Sequence, residues 1–434
     1  GFISFMTVVL ALAAALVYAS RPGASLPVEG EVGGGEGVPV EPEAAAGPVE
    51  QARLEPVARP DVVRGLYLNA WAAGSKRKLA KLLDIADRTE INTFVIDVKE
   101  GGRVSYDSDV PLVNEIGSDA RYIPDIRYVL EQMRAHGVYP IARIVVFKDA
   151  VLASAKPEWA VQRADGTVWR DHHGDTWVDS FNQAVWDYNI AIAREAIELG
   201  FAEVQWDYVR FPDVPRSYRA TAVWPAAAGR TQDDGIREFL LYAREQLADL
   251  GVPVTADVFG QTVSIADDMG IGQKWEKVVD AVDVVLPMVY PSHFGPGVYG
   301  LGRPNANPYE TVYRALRYAV ERSAAVPGAA LIRPWLQDFT LGPPRYGPYH
   351  VRAQIQAVYD AGLTEWILWN PGSNYTAEAL GNPAGDPPEF WLAELERRRT
   401  RADSAIATPV GGQPVPDSGG ALLLGRPVRP DTIR

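Results

Sequence analysis

Acidic residues recur in this chain where apolar runs give way to loops. Val95-Ile96-Asp97-Val98-Lys99-Glu100, Gln205-Trp206-Asp207-Tyr208-Val209-Arg210, Ala256-Asp257-Val258-Phe259-Gly260 and Gln337-Asp338-Phe339 each follow this pattern. Carboxylates converging on one mouth repel each other unless they are solvated, paired or used. Glycoside hydrolysis uses them: one carboxylic acid protonates the leaving oxygen, and one carboxylate attacks the anomeric carbon or activates water. Crowding raises the pKa of one member and keeps it protonated near neutral pH. Asp207 is the candidate nucleophile or principal carboxylate, and Asp257 the candidate general acid/base. Each has a plainer reading: an Asp207–Arg210 ion pair that closes a strand end, and an N-cap or loop carboxylate at Asp257.

Asp97, Lys99, Glu100, Arg210, Tyr290, His293, Asp338 and Trp369 are candidates to line substrate subsites. Strand alternation places Asp97 and Lys99 on one face and Glu100 near the loop, where a salt bridge competes with substrate binding. Asp338, with Arg333 and Trp335 upstream, has an internal ion pair as its alternative. Tyr290 and His293 suit contacts with sugar hydroxyls, His293 as a wall residue rather than a base. Trp169, Trp177, Trp186, Trp206, Trp335 and Trp369 are possible stacking platforms; packing is the commoner fate of each, and Trp369 is the best exception.

His172-His173 with Asp171, Asp175 and Asp179 invites a metal, but adjacent histidines are expected to point apart and no His-x-x-x-His pair accompanies them. No metal and no cofactor is expected. Cysteine is absent, which removes thiol nucleophiles, disulfides and thiolate metal sites together. A formal charge of -13 without any basic run argues against a nucleic-acid partner.

The elements that must position these residues alternate regularly. Short β-branched or aromatic runs lie at 64–70, 93–99, 139–147, 202–211, 252–259, 282–290, 330–339 and 365–370. Amphipathic stretches lie between them at 76–89, 123–136, 184–199, 236–250, 273–279, 308–323 and 349–361. Gly137, Gly200, Gly251 and Gly362 stand where helices would end. Strands alternating with helices argue for parallel βαβ units, and eight strands close a (β/α)8 barrel, an α/β fold. An open doubly wound sheet is the runner-up, but no Gly-rich phosphate loop follows the first strand. The segment 103–119 reads as a small excursion. The segment 148–181 reads as a long loop on the side where barrel sites are built.

The flanks differ in character. Phe2 to Ala19 is apolar except for Ser4 and Thr7, and its length of about 18 residues lies between a spanning helix and a signal h-region. Residues 1–20 are therefore expected to be a signal peptide or a membrane anchor, which implies an exported protein, secreted, periplasmic or held at the cell envelope. Residues 21–60 and 401–434, rich in Gly, Pro, Ala and Val without periodicity, are expected to be a disordered linker and tail around a barrel at 61–400.

The tracts Arg64-Gly65-Leu66-Tyr67, Val95-Ile96-Asp97-Val98-Lys99, Trp206-Asp207-Tyr208-Val209-Arg210-Phe211-Pro212 and Pro287-Met288-Val289-Tyr290-Pro291-Ser292-His293 resemble those of a bacterial family of glycoside hydrolase domains. Its members are TIM barrels that often follow a membrane anchor. The resemblance covers about residues 61–390 and implies fold and reaction class more than substrate. A looser likeness is to the alpha-amylase clan, in which a nucleophilic Asp ends the fourth strand, a Glu acid/base the fifth and an Asp the seventh. Asp207, Asp257 and Asp338 stand on those strands, the second of them a departure because it is Asp. The expected function is hydrolysis of a polysaccharide or glycan. A non-catalytic carbohydrate-binding barrel, a transglycosylase and a sugar deacetylase are the alternatives; deacetylation normally wants a metal that this sequence does not supply convincingly.

Overall fold

The computed structural model describes Leu54 and residues 57–397. The expected leader and tail, and nearly all of the linker, lie outside the described residues. The chain divides after Pro388 into a large unit and a second unit, of which 389–397 are described and helical.

The large unit is a (β/α)8 barrel. Its strands are β1 (Arg64–Leu68), β2 (Thr93–Glu100), β3 (Tyr139–Val145), β4 (Glu203–Asp207), β5 (Val254–Phe259), β6 (Val284–Met288), β7 in two pieces (Leu331–Ile332 and Trp335–Gln337) and β8 (Trp366–Trp369). Neighbours pair in parallel and in chain order, and β1 pairs with both β2 and β8, which closes the sheet. The helices expected between them are α1 (Lys76–Arg88), α2 (Ile126–Ala135), α3 (Gln183–Leu199), α4 (Gln232–Gln246), α5 (Trp275–Val279), α6 (Pro308–Ser323) and α7 (Pro348–Asp360), and shorter helical turns lie in the loops. All eight expected strands and all seven helices are present. Among the described residues, no helix is long and apolar enough to cross a membrane.

The helices form where their sequences allow it. In α1, Leu79, Leu82, Leu83 and Ala86 recur at helical spacing and are buried, while Ser75 accepts the N–H of Lys78 at the start. Asp125, Asn182 and Thr231 cap α2, α3 and α4 in the same way. Gly200 closes α3 at a φ of 124° that disfavours residues with a Cβ.

Strand alternation divides the core in two. Leu66, Leu68, Phe94, Ile96, Ile144, Val204 and Trp206 face the helices. Tyr67, Val95, Tyr139, Ile141, Leu286, Trp335 and Ile367 fill the barrel interior. Three local features depart from the expected strands. The register slips between Asp97 and Lys99, so that Asp97 is level with Arg143 and Lys99 with Ile144. The fourth strand ends at Asp207, before 211, because Tyr208 takes a φ of 49° that no strand continues. Arg333-Pro334 interrupts the seventh, where proline offers no N–H to the ladder.

Candidate active site

Arg143 organises the C-terminal end of the barrel. It lies midway along β3, level with Asp97 on β2 and Gln205 on β4. Its Nη1 donates to Asp97 Oδ1 at 2.5 Å and to Glu100 Oε2 at 2.7 Å. Its Nε and Nη2 both donate to Asp207 Oδ2, at 3.0 and 2.5 Å. Asp257 Oδ2 lies 4.0 Å from the same Nε. One guanidinium thus faces four carboxylates.

The carboxylates differ in surroundings. Asp207 also accepts the backbone N–H of Tyr208 at 2.5 Å, which the φ of Tyr208 turns back toward it. Asp257 is 1% exposed, accepts both Gln205 Nε2–H contacts at 3.0 Å and accepts Trp335 Nε1–H at 2.6 Å. Burial, and then the charge of Asp207, push its pKa well above the usual carboxylate range. Asp97 accepts the hydroxyl of Tyr67 at 2.5 Å; burial pushes it up to about 7 against the opposing pull of Arg143. Glu100 is half exposed at the rim.

Asp207 and Asp257 share a cavity with Arg143, Tyr208, Arg210, Phe259, Met288, Tyr290, His293, Trp335 and Trp369. Its walls are aromatic: Tyr290 stacks on Trp369 at 5.6 Å, Phe339 meets Trp369 edge-on at 5.1 Å, and Tyr290 meets His293 at 5.3 Å. Burial lowers His293 to about 4, which leaves its imidazole neutral at ordinary pH.

Of the ten residues singled out in the sequence, the structure brings Asp207, Asp257, Arg210, Tyr290, His293 and Trp369 to this cavity, with Asp97 and Glu100 one contact away through Arg143. Lys99 is a correction. The slip in β2 turns it away from Asp97, and it is wholly buried against Asp149 at 2.6 Å and Asn189 at 3.0 Å. Asp338 is another: it lies outside the cavity and caps the loop after β8 by accepting Thr376 N–H at 2.8 Å and Thr376 Oγ1–H at 2.7 Å. The partner of Asp207 is Arg143 and not Arg210. His172 and His173 do not point apart; their rings lie 3.8 Å from each other. Among the described residues, no group of three or more His, Asp or Glu side chains is arranged to hold a metal.

Sequence reasoning missed Arg143, Tyr67 and Gln205. A signal was present, since Tyr139-Pro140-Ile141-Ala142-Arg143-Ile144-Val145 places one cation inside an otherwise apolar strand. Such a cation is retained only with partners.

Comparisons with known proteins bear on the fold and the family. A hypothetical protein from Ruminiclostridium thermocellum is 41% identical over 48% of this chain and 98% of its own, with a TM-score of 0.41. The glycoside hydrolase domain of PgaB (BpsB) from Bordetella bronchiseptica shares the fold, at a TM-score of 0.54 and 13% identity over 74% of this chain and 99% of its own. Among curated proteins none matches the chain. Residues 65–375 match the model of the family described as "Putative glycosyl hydrolase domain". That span runs from β1 to the loop after β8 and takes in every side chain of the cavity, and the chain belongs to this glycosyl hydrolase family.

Proposed function

We propose that the chain hydrolyses glycosidic bonds of a polysaccharide or glycan, with Asp207 as nucleophile and Asp257 as general acid/base. One observation carries this reading: on adjacent strands inside an aromatic cavity, Asp207 is hydrogen-bonded to Arg143 and Asp257 stands 4.0 Å from the same guanidinium. Asp207 takes three N–H groups and offers a charged oxygen to the anomeric carbon. Asp257, buried beside that charge, keeps the proton that the leaving oxygen needs. Both Oδ2 atoms lie within 4.0 Å of Arg143 Nε. That bounds their separation at about 7 Å, which admits the roughly 5–5.5 Å of retaining pairs and the lower end of the roughly 6.5–9.5 Å of inverting pairs; Asp207 as nucleophile implies retention with a covalent glycosyl-enzyme. Tyr290, His293 and Trp369 would bind the sugar face and hydroxyls. The exported location and the membrane tether remain part of this proposal and rest on the Phe2–Ala19 segment alone.

The test is release of reducing ends from a panel of bacterial and plant polysaccharides. Asp257→Asn should lower kcat/KM by about 10²–10⁴-fold and Asp207→Asn by at least as much. Wild-type activity should fall as pH rises through the pKa of Asp257, because the proton it donates is then lost. Turnover that survives Asp207→Asn, or a first product of inverted anomeric configuration, rejects the assignment.

A further inference from the structure

Four arginines of the described residues are buried, and three of them meet a carboxylate. Arg143 meets Asp97 at 2.5 Å, Arg333 meets Glu203 at 2.5 Å, and Arg352 meets Glu90 at 2.7 Å. Arg210 is the exception. It is 4% exposed, lines the cavity beside Asp207 and Asp257, and forms no ion pair with any described carboxylate. Its one hydrogen bond runs from Nη1 to the carbonyl of Phe211 at 3.0 Å. Around it stand the rings of Phe259, Tyr208 and Trp177, at 4.7, 4.9 and 5.0 Å from the guanidinium carbon.

Rings stabilise a cation but leave its in-plane N–H groups without acceptors. Two of the three carboxylates that act on Arg210, Asp207 and Asp171, are engaged elsewhere, and the third, Asp213, forms no ion pair with it. Asp207 is held by Arg143 and by Tyr208 N–H, and Asp171 by the N–H groups of His173, Asp175 and Trp177. Asp213 feels Arg210, Arg219 and His172 together, and Arg219 Nε and both ring nitrogens of His172 are buried without a partner. A neutral hydroxyl would accept one N–H and leave Arg210 without a direct ion pair, whereas an oxyanion with two charged oxygens, carboxylate or sulfate, accepts two N–H groups of the guanidinium at once.

We propose that the glycan this site takes carries an oxyanion substituent, a uronate carboxylate or a sulfate ester, and that Arg210 is the residue that selects it. The proposal rests on the reading of the cavity as a glycan-cleaving site. Its test is calorimetric binding of a galacturonate oligosaccharide and a sulfated galactan oligosaccharide, each beside its carboxyl-reduced or desulfated counterpart. Wild type should bind one charged oligosaccharide at least tenfold more tightly than its neutral counterpart, and the preferred pair identifies the oxyanion. Arg210→Gln should erase that preference, and Arg210→Lys, which keeps charge without the planar fork, should keep part of it. Thermal midpoints show which variants fold; if Arg210→Gln does not, the wild-type preference and the Lys variant decide. Equal affinity for charged and neutral partners, no binding of either charged oligosaccharide, or an undiminished preference in Arg210→Gln overturns the inference. Reducing-end release separates it from the proposed function. A charged oligosaccharide bound through Arg210 but left uncut removes the hydrolase and keeps the ligand class. A neutral glycan cut without any charge preference does the reverse.

Discussion

At the scale of single residues, the site is governed by how one guanidinium is shared. Arg143 has five N–H groups, and its four side-chain hydrogen bonds all end on carboxylate oxygens. Asp97 anchors one side of it from inside the barrel and is itself pushed up to about 7 by burial. An unfolded aspartate titrates near pH 3.9, so between about 4 and 7 the folded chain holds a proton that the unfolded chain has lost. The sign follows: the stability this group contributes is fully present below about pH 4 and is lost as pH rises through about 7. Urea midpoints of wild type and Asp97→Asn at pH 4.5 and 7.5 check this, since wild type should lose ground to the variant at the higher pH. A constant difference would mean that Asp97 does not titrate in that window.

At the scale of elements, the slip in β2 decides which residues can reach the cavity. It sends Asp97 and Glu100 to Arg143 and leaves Lys99 among Asp149, Asn189 and the carbonyl of Val145. Lys99→Met should therefore cost about 3–5 kcal/mol by stranding the buried Asp149, with kcat/KM per folded molecule unchanged. A loss of activity without loss of stability would put Lys99 back among the substrate contacts. The eight strands were legible because β-branched runs alternate with capped amphipathic helices, a pattern written locally in the chain. Asp207 and Asp257 were legible as acids at strand ends. The slip in β2, the turn at Tyr208 and the break at Arg333-Pro334 were not, because each is settled by the register of neighbouring strands. Arg143 was hidden for the same reason: its partners come from β2 and β4, far away in sequence, and only barrel closure brings them level.

At the scale of the whole barrel, the interior is layered. Apolar side chains such as Val95, Ile141 and Leu286 separate the Arg143 network at the C-terminal end from a second polar layer at the other end. There Arg333 lies between Glu203 at 2.5 Å and Glu365 at 2.9 Å, and the hydroxyl of Tyr139 reaches Glu203 at 3.4 Å. This layer touches no part of the cavity, so its role is structural. Arg333→Met, which leaves two carboxylates buried, should destabilise the barrel by about 3–5 kcal/mol with KM unaltered, measured by urea denaturation beside steady-state kinetics. Wild-type stability in that variant would mean that the layer contributes little.

Arg59 extends the same layer to the segment that precedes the barrel, gripping Glu365 at 2.5 Å beneath the start of β1. The incoming chain is therefore pinned to the floor of the barrel, at the opposite pole from Asp207 and Trp369. Whatever is joined to the chain just ahead of Arg59 therefore enters at the end of the barrel away from the cavity. A resin or a fluorophore grafted just ahead of Arg59 would accordingly leave the mouth that holds Asp207 and Trp369 unobstructed.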